Sequence, residues 1–292
     1  MPKEKQMDTV VPTKQYHTHI TYKRRWFELN LKEVWRYRDL IVLFTRRNFT
    51  VRYKQTILGP AWLFITPIIS SLIYTFIFGG IAGIGTEGVP QLLFYMSGNA
   101  IWTYFSSCVT RNASTFTSNA NVFGKVYFPR LTTPISNMLT SAIEFGIQML
   151  MVLAFLIYYM IVGAVHPNWL FWLLIPVVLL HLGVMGLGFG IIISSLTTKY
   201  RDLSILVGFG VQLWMYITPV VYPLSQARDG IFRKLLLVNP VTAPVEVFRY
   251  ALLGQGTIVP WALGWSWVFT LIVALFGIMI FNRVEKTFMD TV

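Results

Sequence analysis

The chain has 292 residues, of which 55% are hydrophobic and only 12% are charged. Soluble domains carry about 25% charged residues, so this chain is too apolar for a soluble fold and needs lipid to cover part of its surface. A single cysteine, Cys108, excludes a disulfide framework and a cysteine-based metal site. The net charge of +12 could suggest nucleic-acid binding, but the positions of the basic residues favour membrane topology as its cause.

The long apolar segments predict an all-α integral membrane protein with six transmembrane helices. A helix needs about 20 apolar residues to cross the hydrocarbon core. The predicted transmembrane domain covers residues 60–282, and its spans are 60–82, 92–109, 134–162, 170–196, 203–222 and 261–281. The third and fourth spans are longer than a membrane requires, so we expect them to be tilted or to protrude from it.

The distribution of basic residues predicts that both termini lie in the cytoplasm, as tails at 1–30 and 283–292. Residues 1–59 contain 13 of the 24 Lys and Arg residues. With the N-terminus inside, 20 of the 24 lie on the cytoplasmic side, as the positive-inside rule requires. The four exceptions lie in the segment 223–260. We therefore attribute the basic excess to topology and to attraction to anionic lipid.

Residues 31–55 mix apolar and basic side chains and predict a helix in the cytoplasmic interface of the membrane. Aromatic residues such as Trp35 and Phe44 would enter the lipid, and the arginines would face the headgroups. The alternative is that these charges serve only to orient the first span.

The cytoplasmic loop 111–130 carries an apolar aromatic patch, which indicates a docking surface for another protein. Asn119 or Asn121 could cap a short helix there. The alternative is a loop that folds onto the membrane surface. The apolar residues of the patch are Phe123, Val126, Tyr127 and Phe128.

The segment 223–260 contains two apolar stretches, 231–238 and 245–253, that are each too short to span a membrane. Asn239 and Pro240 separate them. Two short helices that dip back from the outer face fit these lengths, because a re-entrant hairpin is tolerated where it is buried in protein or lines a wet cavity. A simple surface loop is the alternative.

Motifs for catalysis are missing from the sequence. The nearest match to a phosphate-binding loop, Gly124-Lys125, lacks the upstream glycine and the following Ser or Thr. No zinc-protease, nucleophile-elbow or clustered carboxylate pattern occurs, and no metal site is predicted. Glu144 is the one acid that lies clearly inside a span, where a functional role is the default hypothesis and a packing role is the alternative.

Polar and aromatic residues recur at helical spacing on three predicted spans, so each set shares a helix face that should point away from lipid. Aromatic rings stack on the C–H faces of sugars, and hydroxyl and amide groups hydrogen-bond sugar hydroxyls, which favours a glycan pathway. Ordinary helix packing is the alternative. The predicted channel residues are Trp62, Thr66, Ser70 and Tyr74 in the first span, Tyr95, Asn99, Trp102 and Ser106 in the second, and Gln212, Tyr216 and Tyr222 in the fifth. Gly186 and Gly190 form a GxxxG that predicts close helix packing.

Several motifs in register resemble the permease subunit of bacterial ABC-2-type exporters for polysaccharides. They are VRYKQTILGPAW (51–62), NANVFGKVYFPR (119–130), TKYRDL (198–203), QLWMYITPVVYP (212–223), the Asn239-Pro240 pair and FRYALLG (248–254). The resemblance runs from about residue 30 to 285, and the first 27 residues are not part of it. Members of that family move lipid-linked O-antigen, capsule or teichoic-acid chains across the bacterial inner membrane.

The resemblance implies a homodimer with a channel between its subunits, driven by two copies of a separate nucleotide-binding subunit. ATP and Mg²⁺ would bind to that subunit, while this chain would hold no cofactor and catalyse nothing itself. The coupling residues implied for docking are Asn119, Asn121, Phe123, Lys125, Tyr127, Phe128 and Arg130. The implied gate residues are Asn239, Pro240 and Arg249. The residues expected to attract the diphosphate of the lipid-linked glycan are Arg46, Arg47, Arg52 and Lys54.

Other classes predict features that the sequence does not offer. A membrane-embedded transferase should show acidic or histidine clusters at a membrane face. A secondary transporter should show paired intramembrane charges or inverted repeats, whereas Glu144 stands alone. An ABC-2-type permease for another amphiphile, such as a drug, is the nearest alternative to the polysaccharide exporter.

Overall fold

The computed structural model describes residues 31–54, 56–126, 128–198, 200, 202–227 and 230–288. The predicted N-terminal tail, Tyr127 of the coupling loop and the last four residues of the C-terminal tail lie outside the described residues. The described part of the chain is all-helical and contains no strand, as the sequence predicted.

Twelve α-helices make up the described part of the chain. The helices are α1 (Leu31–Arg36), α2 (Arg38–Tyr53), α3 (Trp62–Tyr74), α4 (Gln91–Ala113), α5 (Thr115–Phe123), α6 (Thr132–Ile161), α7 (Trp169–Trp172), α8 (Ile175–Thr197), α9 (Leu203–Tyr216), α10 (Ile231–Val238), α11 (Thr242–Leu253) and α12 (Pro260–Phe288). A 3-10 turn, Gly59–Ala61, precedes α3, and a π-helical segment, Thr75–Ile81, continues it.

Among the described residues, four helical segments are long and apolar enough to cross a membrane, so the chain is a multi-pass membrane protein. These segments are Gly59–Ile81, Thr132–Ile161, Ile175–Thr197 and Pro260–Val284. The count rises to five if the bent pair α10 and α11 forms one span. The structure therefore supports the first, third, fourth and sixth predicted spans but does not reproduce the count of six.

The second predicted span, α4, is long enough to cross a membrane but carries many polar residues. It lies at the centre of the helix packing, with α3, α6, α8, α9 and α11 around it. Its polar side chains Ser97, Asn99 and Asn112 are buried among these neighbours. Because protein and not lipid surrounds α4, its sequence does not need to be apolar throughout.

The fifth predicted span ends earlier than expected, because α9 stops at Tyr216 and not at Tyr222. Pro219 lacks a backbone N–H and disfavours the helical conformation of Thr218, so the chain leaves the helix just before it. The fourth predicted span begins later than expected. Its first residues form the separate turn α7, and the indole Nε1 of Trp172 donates to the carbonyl of Ala251 on α11 at 2.9 Å.

The predicted GxxxG packing is confirmed where α8 crosses α4. A Cβ atom on Gly186 would lie 2.6 Å from the Cβ of Cys108, and one on Gly190 would lie 2.3 Å from the Cβ of Asn112. Both distances are shorter than carbon atoms tolerate, so only glycine lets the two backbones approach this closely.

Candidate functional site

The predicted channel residues fall into two groups by exposure. Trp62 and Thr66 on α3 and Gln212 and Tyr216 on α9 are exposed. In contrast, Tyr95, Asn99 and Trp102 on α4 are buried in the helix packing of the chain itself. Ser70, Tyr74, Ser106 and Tyr222 are half-buried. In this conformation only the α3 and α9 stripes face outward.

The three stripes meet near Tyr74. Its hydroxyl lies 3.7 Å from the sulfur of Met215 on α9, and its ring centroid is 6.4 Å from that of Tyr95 on α4. The hydroxyl of Tyr222 donates to the carbonyl of Tyr216 at 3.1 Å, which ties the segment after α9 to the end of that helix. The structure thus brings the predicted stripes together, and their role in a channel stays a prediction.

The predicted gate segment is helical, as expected, and α10 has the predicted bounds. Its axis and that of α11 differ by 85°. Asn239, between them, is buried and accepts hydrogen bonds at Oδ1 from the indole of Trp214 and the N–H of Val241, both at 3.1 Å. Its Nδ2 donates to the carbonyl of Ile217 at 3.0 Å and to the hydroxyl of Thr218 at 2.9 Å. This one amide therefore fixes the corner between the two helices to the end of α9.

Arg249 on α11 is the largest fully buried side chain of the described residues. Its Nη1 donates to Glu246 Oε1 at 2.8 Å, and its Nη2 donates to the carbonyls of Pro219 and Val220 at 2.9 and 3.0 Å. The guanidinium carbon lies 4.1 Å from the ring centroid of Phe94 on α4, within cation–π range. We call Arg249, Glu246 and the two carbonyls the Arg249 network.

Two further contacts make the Arg249 network a junction of four segments. Glu246 Oε2 accepts a hydrogen bond from the backbone N–H of Thr257, just before α12, at 2.9 Å. Gly98 on α4 lies against the network, since a Cβ atom there would be 2.6 Å from the carbonyl oxygen of Val220. The network thus joins α4, the end of α9, α11 and the approach to α12.

The predicted coupling helix is α5, and it begins earlier than the sequence suggested. Ser114 is both the last residue before it and the residue that ends α4, so the two helices share one junction residue. The expectation that Asn119 or Asn121 caps this helix is wrong, because both lie inside it. Asn119 Nδ2 instead donates to the carbonyl of Thr115 at 2.9 Å.

Phe123 and Phe128 of the coupling loop are buried, so the predicted exposed patch is wrong for these two residues. Both are buried in a cluster with Phe44 of α2, Phe116 of α5 and Phe281 of α12. The cluster covers these rings because α2 and α12 close over that side of α5. Arg130 is also buried, with its guanidinium 5.5 Å from the ring centroid of Phe123. Among the described residues of the loop, the exposed side chains are Thr117, Ser118, Asn121, Lys125 and Val126.

The predicted interface helix over 31–55 is present as α1 and α2, which meet at Tyr37. Trp35 is exposed, but Phe44 packs on Phe128 of the same chain at a centroid distance of 5.6 Å. The expectation that Phe44 enters lipid is therefore wrong, because Phe44 lies on the side of α2 that packs against protein. The basic residues predicted to attract a diphosphate, Arg46, Arg47, Arg52 and Lys54, are all exposed.

Glu144 on α6 is 6% exposed, and its carboxylate bridges two other helices. Arg111, in the last turn of α4, donates to Oε2 at 2.5 Å. On α2, the hydroxyl of Tyr53 donates to Oε1 at 3.1 Å and Arg52 approaches the same oxygen at 3.5 Å. Burial and the nearby Glu144 carboxylate raise the pKa of Tyr53 to about 12, so its hydroxyl keeps the proton that it donates. We call these four residues the Glu144 network.

A second polar contact joins the same three helices two turns closer to the start of α6. Asn137 accepts a hydrogen bond at Oδ1 from Asn48 of α2 at 3.0 Å and donates to Asn112 of α4 at 3.2 Å. Asn137 and Glu144 are seven residues apart, which places them on one face of α6.

Sequence reasoning singled out Glu144, Arg52 and Arg249 but missed their partners Arg111, Tyr53 and Glu246, and it also missed the neighbouring Asn137. Arg111, Tyr53 and Asn137 carry no local signal, since their partners are far away in the chain. Glu246 did offer a signal, because it lies three residues before Arg249 in an otherwise apolar stretch, and such a spacing puts opposite charges on one helix face.

The profile of the ABC-2 type transporter family matches residues 39–253, most of the chain. The chain therefore belongs to the ABC-2 type transporter family and is a multi-pass membrane component of a transporter in the inner membrane. Membership of this family implies partnership with an ATPase subunit.

Within that family, the chain is similar to proteins named O-antigen export system permease protein RfbA. One from Klebsiella pneumoniae is 28% identical over 253 residues, which cover 86% of this chain and 94% of the relative. A second from the same species is 27% identical over 252 residues, with the same coverage. One from Myxococcus xanthus is 29% identical over 223 residues, or 75% of this chain and 82% of the relative. The resemblance predicted from the sequence motifs is thereby confirmed.

Proposed function

We propose that this chain is the channel-forming permease subunit of an ATP-driven exporter, which moves lipid-linked, O-antigen-like polysaccharide from the cytoplasm across the inner membrane. The observation that carries the proposal is the similarity to O-antigen export permeases along nearly their whole length. The family match over residues 39–253 contains the predicted coupling loop 111–130 and the two short helices α10 and α11.

We infer six spans with both termini in the cytoplasm, counting α4 and α9 as the second and fifth. α4 has 23 residues, which at about 1.5 Å per residue suffice to cross a hydrocarbon core of about 30 Å. The shorter α9 completes its crossing with the non-helical segment up to residue 222. The positive-inside rule supports this orientation, because the basic residues concentrate before α3 and at the α4–α6 loop.

A homodimer with its channel between the subunits accounts for the exposed stripes on α3 and α9. Thr66 and Gln212 are exposed, and a lipid-facing surface does not favour such side chains. A second copy of the chain would cover these faces and leave Trp62 and Tyr216 to line a passage for sugars. The buried Tyr95, Asn99 and Trp102 would then support the passage from behind.

In this proposal ATP and Mg²⁺ bind to the separate ATPase subunit, two copies of which dock on the α5 helices. Asn121, Lys125 and Val126 form the exposed tip of that docking surface. Nucleotide-driven closure of the ATPase pushes on α5, moves the spans and opens the segment α10–α11. The lipid diphosphate is attracted from the inner leaflet by the exposed arginines of α2.

The proposal is tested by purifying the chain together with an ATPase subunit from the same organism and by deleting the gene of the chain. We expect stable co-purification, ATP hydrolysis by the complex that responds to undecaprenyl diphosphate-linked glycan, and loss of surface glycan in the deletion strain. Normal surface glycan after deletion, or hydrolysis that ignores the lipid-linked glycan, would overturn it.

The aromatic pathway has its own test, and burial decides which variant to use. Tyr216→Ala removes an exposed ring, so we expect slower export by complexes that assemble normally. Trp102→Ala would instead empty a buried site, which costs about 3–5 kcal/mol for a large aromatic residue and obscures any effect on transport. Normal export by Tyr216→Ala contradicts a role for that ring.

A further inference from the structure

The Glu144 network joins α2, α4 and α6. The proposed export mechanism gives separate roles to α2, which attracts the lipid diphosphate, and to α5, which follows α4 and docks the ATPase. Arg111 belongs to the last turn of α4. A single junction residue, Ser114, separates α4 from α5. Arg52 and Tyr53 belong to the last turn of α2. Glu144 stands between them on α6 and binds both sides at once.

The contact between Glu144 and Arg111 is the stronger of the two sides of the Glu144 network. The guanidinium of Arg111, whose side chain is 17% exposed, donates to the Glu144 carboxylate, whose side chain is 8% exposed, in a charge-assisted hydrogen bond. Ser114 alone separates α4 from α5, so a push on α5 moves the last turn of α4 and the guanidinium of Arg111 with it. Glu144 must follow, because a buried carboxylate that loses its cation is left with its full desolvation cost.

The contact with α2 is the adjustable side. Arg52 lies at 3.5 Å with a side chain that is 55% exposed, so water can replace it at small cost. The Tyr53 hydroxyl is the shorter bond, at 3.1 Å, and it carries no charge. The second polar contact, from Asn48 through Asn137 to Asn112, runs parallel to this bond and keeps the register of α2 against α6.

We propose that Glu144 is a positioning residue through which the coupling helix α5 and the interface helix α2 move as one unit. The inference rests on the proposed export function and deepens it. A stroke of the ATPase on α5 passes through Arg111 and Glu144 to Tyr53 and Arg52. The basic face of α2, which attracts the lipid diphosphate, is thereby moved in step with ATP hydrolysis.

The test compares two rates, glycan export and ATP hydrolysis, in variants of the full complex. Export is measured in deletion cells that carry the variant gene, as the amount of glycan reached by a membrane-impermeant label. Hydrolysis is measured per purified complex. Replacing a residue that only stabilises the fold lowers the amount of complex and both rates together. Breaking the Glu144 network instead lowers the amount of glycan exported for each ATP hydrolysed.

For Glu144→Gln we expect near-normal hydrolysis and about a tenfold fall in export per ATP, the factor that corresponds to one lost hydrogen bond to a charged group. For Tyr53→Phe, which keeps every charge, we expect a smaller fall of about threefold, since Arg52 still links α2 to Glu144 Oε1. The double variant should match Glu144→Gln alone, because two residues that act through one contact are not additive.

The matched control is Asp39→Asn, which removes an exposed carboxylate from the same helix α2. Asp39 lies 3.9 Å from Arg38 of the same helix, so this ion pair links α2 to neither α4 nor α6. We expect its export per ATP to equal that of the wild type.

An unchanged ratio in Glu144→Gln overturns the inference. If that variant does not assemble, an unchanged ratio in Tyr53→Phe overturns it instead. Failure of the proposed function itself looks different, because the wild-type chain would then not co-purify with the ATPase or would export no glycan.

Discussion

The Arg249 and Glu144 networks lie at opposite ends of α4 and differ in how far solvent reaches them. The side chains of Arg249 and Glu246 are 1% and 2% exposed. In the Glu144 network, the side chain of Arg111 is 17% exposed and that of Arg52 is 55% exposed. Water cannot help to break the first network, but it can replace one arm of the second.

The two networks also differ in what the charged groups bind. Arg249 donates to two backbone carbonyls, so it fixes the course of the chain after α9 and cannot be released without moving the backbone. Glu144 accepts from side chains alone, and side chains can change rotamer while the helices stay folded. A buried ion pair can therefore hold a segment shut when its partners are backbone carbonyls, or link moving helices when its partners are side chains.

The largest expected effect comes from Arg249→Met. The change keeps the side-chain volume but leaves the Glu246 carboxylate buried without its cation, which costs about 3–5 kcal/mol. Thermal unfolding in detergent, followed by tryptophan fluorescence, should show a strong loss of stability. Replacement of the exposed Lys234 by Ala should have no such effect. Adding Glu246→Gln to Arg249→Met should recover part of the lost stability. If Arg249→Met is as stable as the wild type, the Arg249 network does not stabilise the fold.

An intermediate effect is expected where glycines let α4 approach its neighbours. Gly98→Ala would press a Cβ against the Val220 carbonyl in the Arg249 network, and Gly190→Ala would press one against Asn112 next to the Glu144 network. Overpacking of this kind costs about 1–3 kcal/mol. Gly146 on α6 has open space around it, so Gly146→Ala is the control. A stability of Gly98→Ala equal to that of the control would contradict the close approach at the Arg249 network.

The smallest effect is expected from Arg52→Gln. A half-exposed ion pair contributes about 0–1 kcal/mol and is screened by salt. The unfolding midpoint should therefore fall slightly at low ionic strength and match the wild type at high ionic strength. A loss of stability as large as that of Arg249→Met would mean that solvent is excluded from the Glu144 network as fully as from the Arg249 network. The difference between the two networks would then be wrong.

Sequence patterns predicted the helices well where polar or proline residues interrupt the apolar runs. Asn239 and Pro240 end α10 at the predicted residue, and α6 differs from the predicted third span by two residues at its start. Prediction was poorer where apolar residues continue beyond a helix. Apolar residues continue after α9 up to Tyr222, and Pro219 among them did not mark the end of the predicted span, because membrane helices tolerate proline.

The candidate site was harder to predict, because its contacts join residues far apart in the chain. Tyr53 and Glu144 are 91 residues apart, and no local period shows which faces of two helices meet. The orientation of Phe123 and Phe128 was equally hidden, since aromatic residues beside a membrane can serve a docking surface or a core. Glycine spacing was the exception, because Gly186 and Gly190 have no other evident use than close packing.

The enclosed position of α4 has a consequence for how the protein is made. During synthesis α4 follows α3 into the membrane, while the helices that cover Asn99 and Asn112 come later in the chain. The Oδ1 of Asn112 accepts a hydrogen bond from Asn137 of α6, so this oxygen lacks that partner until residue 137 has been made. Asn112 also lies against Gly190 of α8, so its side chain is not fully covered until residue 190 has been made. An unsatisfied amide is costly in lipid. We therefore expect α4 to wait beside the translocon and to enter the bilayer together with α6 and α8.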